Sequence, residues 1–184
     1  MSWRPARPTT RPSPAERSEG QLDPGAAVGG APTRPGLALG GRGDDEKRIR
    51  QATGWINELV DQELERGVPA HRIVLAGFSQ GGAMALFAGL RYPEALAGIV
   101  CLSGYLLLRD TLIAEASDAN RSRPIFQAHG TNDAILPYEL GRGSFDFLTE
   151  SGFQVGWHEY PMAHQICLEE LRDIGEWLAG VFAP

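Results

Sequence analysis

The stretch from Arg72 to Leu90, RIVLAGFSQGGAMALFAGL, admits few folds. A continuous apolar run, Ile73-Val74-Leu75-Ala76, passes through Gly77-Phe78-Ser79-Gln80-Gly81 into a second run of small and apolar residues, Gly82 to Ala88. The first run is expected as a strand covered on both faces, and the second as a helix lying flat on the same sheet. Gly77 and Gly81 are expected to let the chain turn sharply and to let strand and helix approach closely. The turn then lifts Ser79 clear of the backbone at the C-terminal edge of the sheet, the G-x-S-x-G pattern of a nucleophile elbow. A serine hydroxyl is a weak nucleophile unless a base is near and donors face the developing oxyanion. The peptide N–H of Gln80, at the helix N-terminus, is the candidate donor. With 23 Gly in 184 residues the bare pattern says little, and its weight comes from the order strand, turn, helix.

Length allows one domain with a sizeable core. The net charge of −6 argues against a nucleic-acid partner. No apolar run approaches the about eighteen residues that span a bilayer. Cys101 and Cys167 provide neither a disulfide framework nor metal spacing, and read as free thiols of a reducing compartment.

Composition changes near residue 43. Residues 1–43 hold 7 Pro, 8 Gly and six Arg against three acids, whereas residues 44–184 carry 11 basic and 20 acidic side chains. The first segment has few large apolar residues and no periodicity, so it cannot offset the entropy of ordering and is expected to be disordered. It has no signal-peptide apolar region, and its prolines disfavour the amphipathic helix of a transit peptide, so no targeting is the reading.

From Asp44 the pattern turns helical, with Ile49, Ala52, Ile56, Leu59, Val60 and Leu64 as the inward stripe, Asp44 or Asp45 as N-cap, and Gly67 then Pro69 as the stop. Leu96 to Gly104 and Pro124 to Gly130 are further buried strands, the former joined to the serine strand by a helical crossover, as in a parallel sheet. Tyr138 to Ser151 predicts a helix ended by Gly152. Phe153 to Tyr160 predicts a strand, and Gln165 to Phe182 a helix with Leu168, Leu171, Ile174, Leu178 and Val181 facing the core. The fold class is α/β, with helices flanking a mostly parallel sheet.

Three chemistry-bearing residues fall just after strands, in the order Ser79, Asp133, His164. In such a unit a histidine takes the serine proton and an acid holds the imidazole tautomer. Taken singly, Asp133 is as readily a turn or capping residue. Asn132 and Glu159 rank lower as competing acids or orienters. His71 reads as surface, His158 as a strand residue opposite Trp157, and His129 as a brace for the Asp133 loop.

AGFSQGGAMAL, HGTNDAILP and YPMAHQ together resemble the bacterial phospholipase/carboxylesterase family, α/β-hydrolases similar to the acyl-protein thioesterases, over about Glu46 to Phe182. The resemblance implies Ser79 as nucleophile, Asp133 as acid, His164 as base and the Gln80 N–H as an oxyanion donor. It also implies hydrolysis of short- to medium-chain carboxylic esters, thioesters or lysophospholipids with no metal or cofactor, in a cytoplasmic monomer or homodimer. Leu106, Leu107, Ile135 and Leu136 are expected as pocket walls, with ordinary core as the other reading.

That family begins with strands and an HGxG-like loop that supplies a second oxyanion N–H, and residues 1–43 contain no His-Gly. The expectation is therefore a chain with the N-terminal half of the sheet missing. Its catalysis would be lower by roughly two to three powers of ten, and its serine strand would be a bare edge open to pairing. The abrupt join at residue 43 reads as a shifted reading frame or misplaced start. An apolar strand–loop–strand encoded upstream of Asp44 in another frame is the observation that decides it. Two other readings stay open. One is an inactive remnant serving as an interaction partner; the other is a dienelactone-type hydrolase, which the serine at the elbow argues against.

Overall fold

The computed structural model describes residues 42–183. Most of the segment expected to be disordered lies outside these residues. Its last two, Arg42 and Gly43, instead open the first helix, α1 (Arg42–Glu65). The helix thus starts ahead of Asp44 and Asp45, which fall in its first turn and not at the N-cap. Its end follows the expectation: Gly67 takes φ +90°, its N–H donates to the Leu64 carbonyl at 2.9 Å, and the Val68 N–H donates to Glu63 at 3.0 Å. Only glycine enters that left-handed turn without strain.

Four strands follow, β1 (Val74–Phe78), β2 (Gly98–Leu102), β3 (Ile125–Gly130) and β4 (Val155–Tyr160), paired in the order β1-β2-β3-β4. Every pairing is parallel, with Phe78 opposite Leu102 and Gly130 opposite Tyr160. Parallel neighbours need crossovers, and these are supplied by α2 (Gln80–Gly89), α3 (Leu112–Glu115) and α4 (Tyr138–Glu150), with α5 (Leu168–Val181) closing the chain. Gly152, at φ +84°, ends α4 as expected.

Alternate residues of the sheet feed two cores, as a two-residue period requires. Ile99, Cys101 and Ile125 pack with Leu86 of α2, Leu90 just beyond it, Leu112 of α3 and Leu148 of α4. Val100, Leu102, Phe126 and Ala128 pack on the other side with Ile174 and Trp177 of α5. Burying each such aliphatic side chain stabilises by about 1.5–3 kcal/mol, and β2 is buried at every position.

Three expectations change. β1 is half-buried, not covered on both faces, with Ala76 exposed, because among the described residues it pairs with β2 alone. Leu59 of α1 is 62% exposed, as are Leu168 (81%) and Leu171 (52%) of α5. The inward face of α5 is set by Trp177, whose ring sits against the Cα of Gly98 so closely that any Cβ there would be at 2.7 Å. That anchor rotates Leu168 and Leu171 outward and carries Glu170, fully buried, inward.

Candidate active site

Ser79 links β1 to α2 with φ 56° and ψ −121°, a backbone region that a side chain with a Cβ occupies only where its surroundings hold it. Its N–H donates to the Leu102 carbonyl at 2.8 Å, which continues the β1–β2 ladder, while its carbonyl accepts from the Ala83 N–H at 3.1 Å. A Cβ on Gly77 would collide with the Gly81 carbonyl group, and one on Gly82 would lie 2.9 Å from the Gly77 oxygen and 3.1 Å from the Leu102 nitrogen. The close approach therefore belongs to Gly77 and Gly82; a Cβ on Gly81 would meet nothing. Gln80 is the first residue of α2, so its N–H is among those left without an intrahelical acceptor.

Asp133 follows β3 and His164 follows β4. Those two loops are joined by backbone bonds, from the Thr131 N–H to the Tyr160 carbonyl at 2.9 Å and from the Asn132 N–H to the Met162 carbonyl at 3.0 Å. Gly130 permits this, since a Cβ there would run into the carbonyl oxygens of Met162 and Ala163. The parallel register then sets Ser79, Asp133 and His164 at the carboxyl ends of their strands, where open α/β sheets place ligands.

The three side chains meet. Ser79 Oγ lies 2.9 Å from His164 Nε2, and His164 Nδ1 lies 2.7 Å from Asp133 Oδ2. A carboxylate can only accept, so Nδ1 carries the proton and Nε2 is free to accept from the serine hydroxyl. Phe78 flanks the His164 ring, with centroids 4.8 Å apart. The Asp133 carboxylate is fully buried and the His164 side chain 15% exposed. The other carboxylate oxygen, Oδ1, accepts from the Ile135 N–H at 2.9 Å and the Leu136 N–H at 2.8 Å. Burial alone would raise the Asp133 carboxyl, but the Leu136 N–H, the His164 ring and the Ile135 N–H outweigh it and hold the carboxyl below its ordinary range.

Ile135 and Leu136 thus enter through their peptide N–H groups, a role that an apolar side chain does not announce. The Ile135 side chain is 75% exposed. Leu106 packs in the core with Leu86, Leu112 and Leu148, and Leu107 is half-buried. Asn132 is exposed. Glu159 bonds Tyr138 Oη at 2.5 Å and Trp157 Nε1 at 3.2 Å, away from His164. His158 stacks on Phe126 at 4.0 Å. Gly82, Gly130 and Phe78 were not legible as site residues. For the glycines the only signal was their position beside a strand end.

Among the described residues no group of three His, Cys, Asp or Glu side chains is placed to hold a metal ion, and no helix is long and apolar enough to cross a membrane. A family model described as phospholipase/carboxylesterase matches residues 40–181. Acyl-protein thioesterase 1 of Neurospora crassa is 44% identical over 140 residues, covering 74% of this chain and 57% of that protein. Carboxylesterase SOBER1 of Arabidopsis thaliana is 32% identical over 135 residues, covering 73% and 59%. The crystal structure of SOBER1 superposes with a TM-score of 0.70 at 29% identity, over 73% of this chain and 65% of that one. The Bacillus cereus carboxylesterase superposes with 0.64 at 26%, over 75% and 64%. The chain spans 57% to 63% of the length of curated relatives it matches.

Proposed function

The chain belongs to the phospholipase/carboxylesterase family of α/β-hydrolases, and from that premise we propose that residues 44–184 form a serine hydrolase domain acting on short- to medium-chain carboxylic esters, thioesters or lysophospholipids. The supporting observation is the continuous pair of hydrogen bonds from Ser79 Oγ through His164 to Asp133, at 2.9 and 2.7 Å. Ser79 Oγ attacks the acyl carbonyl carbon while His164 Nε2 takes its proton, and the oxyanion forms near the Gln80 N–H. Collapse expels the alcohol or thiol, which leaves with the proton from His164, and an acyl-enzyme remains on Ser79. Water, deprotonated by the same nitrogen, attacks that ester and frees the acid. Asp133 stays ionised and steadies the imidazolium. The reading includes a cytoplasmic protein, monomeric or homodimeric, that needs no cofactor.

A second reading, an impaired hydrolase, draws on the half-exposed β1 beside the nucleophile and on the absence of His-Gly from residues 1–43. One experiment separates the two. Purified protein and its Ser79→Ala variant are treated with a fluorophosphonate probe, and p-nitrophenyl butyrate turnover is recorded on the same samples. Labelling confined to the parent, with turnover, supports the hydrolase. Labelling without turnover supports the impaired enzyme, and no labelling of folded parent protein sinks the hydrolase and leaves the inactive remnant.

A further inference from the structure

His129, the penultimate residue of β3, is fully buried and has no step in the reaction above. Its ring lies 6.5 Å from Trp157 in a near-parallel stack and meets the edge of Tyr138 at 6.1 Å. Nε2 lies 2.9 Å from the Leu136 carbonyl oxygen and 3.5 Å from Asp133 Oδ2, the oxygen that also receives His164 Nδ1. Both neighbours are acceptors, so Nε2 is the protonated nitrogen. Nδ1 is buried without a partner and faces Gly141 of α4, where any Cβ would strike the ring.

The backbone of Leu136 is consequently held at both its polar groups. Its N–H donates to Asp133 Oδ1 and its carbonyl accepts from His129. Gln127, two residues earlier on β3, ties the same helix by donating to the Gly141 carbonyl at 3.0 Å. A carboxylate with Oδ1 fixed by two peptide N–H groups can present Oδ2 in one direction only, and the His129 ring lies alongside that oxygen.

We propose that His129 is a positioning residue: its Nε2–H anchors the Leu136 peptide and thereby sets the rotation of the Asp133 carboxylate, which fixes the tautomer and aim of His164. The inference rests on the serine-hydrolase reading for its consequence in rate, though not for its geometry. Losing the donor would leave the part-buried Leu136 carbonyl without this partner. The loop would relax, and a displacement of the acid by less than an ångström would reach the base directly.

The test compares the full chain with His129→Phe, His129→Gln and His129→Asn. The glutamine amide can reach the Leu136 oxygen; the shorter asparagine cannot, and phenylalanine keeps the ring without a donor. Two readouts are taken on samples whose folding is checked by thermal denaturation. One is the low-field proton resonance of His164 Nδ1–H, and the other the rate of fluorophosphonate labelling of Ser79 with kcat and KM on the butyrate ester. His129→Phe and His129→Asn are expected to shift or broaden the resonance and to lower labelling and kcat by about 10- to 100-fold with KM nearly unchanged, while His129→Gln recovers most of both. If phenylalanine is not tolerated, the glutamine–asparagine pair decides. Equal resonances and rates across the variants overturn the proposal, as does a glutamine variant no better than asparagine. A parent protein that shows the resonance but never labels overturns the hydrolase reading instead, and the resonance alone then judges His129.

Discussion

Asp133 and His164, the proposed acid and base, follow β3 and β4, while Ser79, the proposed nucleophile, follows β1, and the two sides of the site are built differently. β3 is buried throughout. The Asp133 carboxylate has three donors on its two oxygens, and backbone bonds join its loop to that of His164. β1 is half-exposed. Beside it runs an open apolar groove of about 300 Å³ lined by Ile56, Leu59, Val60, Ile73, Leu75 and Ala85, of which Leu59 is exposed. The acid–base side is thus specified by polar contacts within the described residues. The elbow is specified by steric necessity at Gly77 and Gly82, a local constraint that survives an open flank. A site can therefore be complete in its proton-transfer parts while the wall behind its nucleophile is thin.

The largest expected effect removes either partner of the bond that joins the two sides. Ser79→Ala or His164→Ala should lower turnover by about 10⁶-fold, since either removes a member of a unit that acts together; turnover of the butyrate ester against the uncatalysed rate measures it. Next, Asp133→Asn should cost about 10⁴-fold by holding the wrong tautomer of His164. Asp133 also has a pH signature. Its folded carboxyl titrates below the ordinary value, so its contribution to stability is present above the unfolded value and lost as pH falls through the folded one. Parent and Asp133→Asn should therefore differ in stability at neutral pH and converge as pH falls through the folded value, and a difference that persists unchanged to the acid end would contradict the assignment.

Two glycines sharpen the contrast. Gly130→Ala would drive a methyl group into the Met162 and Ala163 carbonyls. It should destabilise by about 2–4 kcal/mol in denaturant unfolding and slow Ser79 labelling as the two loops part. Gly81→Ala, with open space around the added carbon, should change stability by less than about 1 kcal/mol. A further contrast lies away from the site at Glu170, whose carboxylate oxygens are buried without partners and whose carboxyl is pushed up to about 7 by burial. A raised folded value means that the penalty for ionising grows as pH rises from the unfolded value through about 7. Glu170→Gln should then gain about 1–3 kcal/mol at pH 8 and nothing at pH 4, read as melting temperature across that range.

Much of this was legible in the chain because it rests on local chemistry. The serine turn is dictated by its glycines, Gly67 and Gly152 end helices by adopting positive φ, and Asp133 and His164 announce themselves by falling after strands. Whatever depends on distant partners was not legible. The periodicity of α5 names a stripe, yet Trp177 against Gly98 decides which stripe faces inward, and so Leu168 and Leu171 lie outside. Leu106 sits after a strand like a site residue but is drawn into the core by Leu86 and Leu148. Gly81 and Gly82 look interchangeable in the sequence, and only the path of β1 and β2 tells which of them is crowded.

The bond between Ser79 and His164 joins residues 85 positions apart, and this has a consequence during biosynthesis. A ribosome adding about 5–20 residues per second delivers the serine roughly 4–17 s before its base. Throughout that interval the hydroxyl is an ordinary alcohol without a proton acceptor. On the proposed mechanism, attack on an ester therefore waits until the residues that follow β4 have emerged and docked.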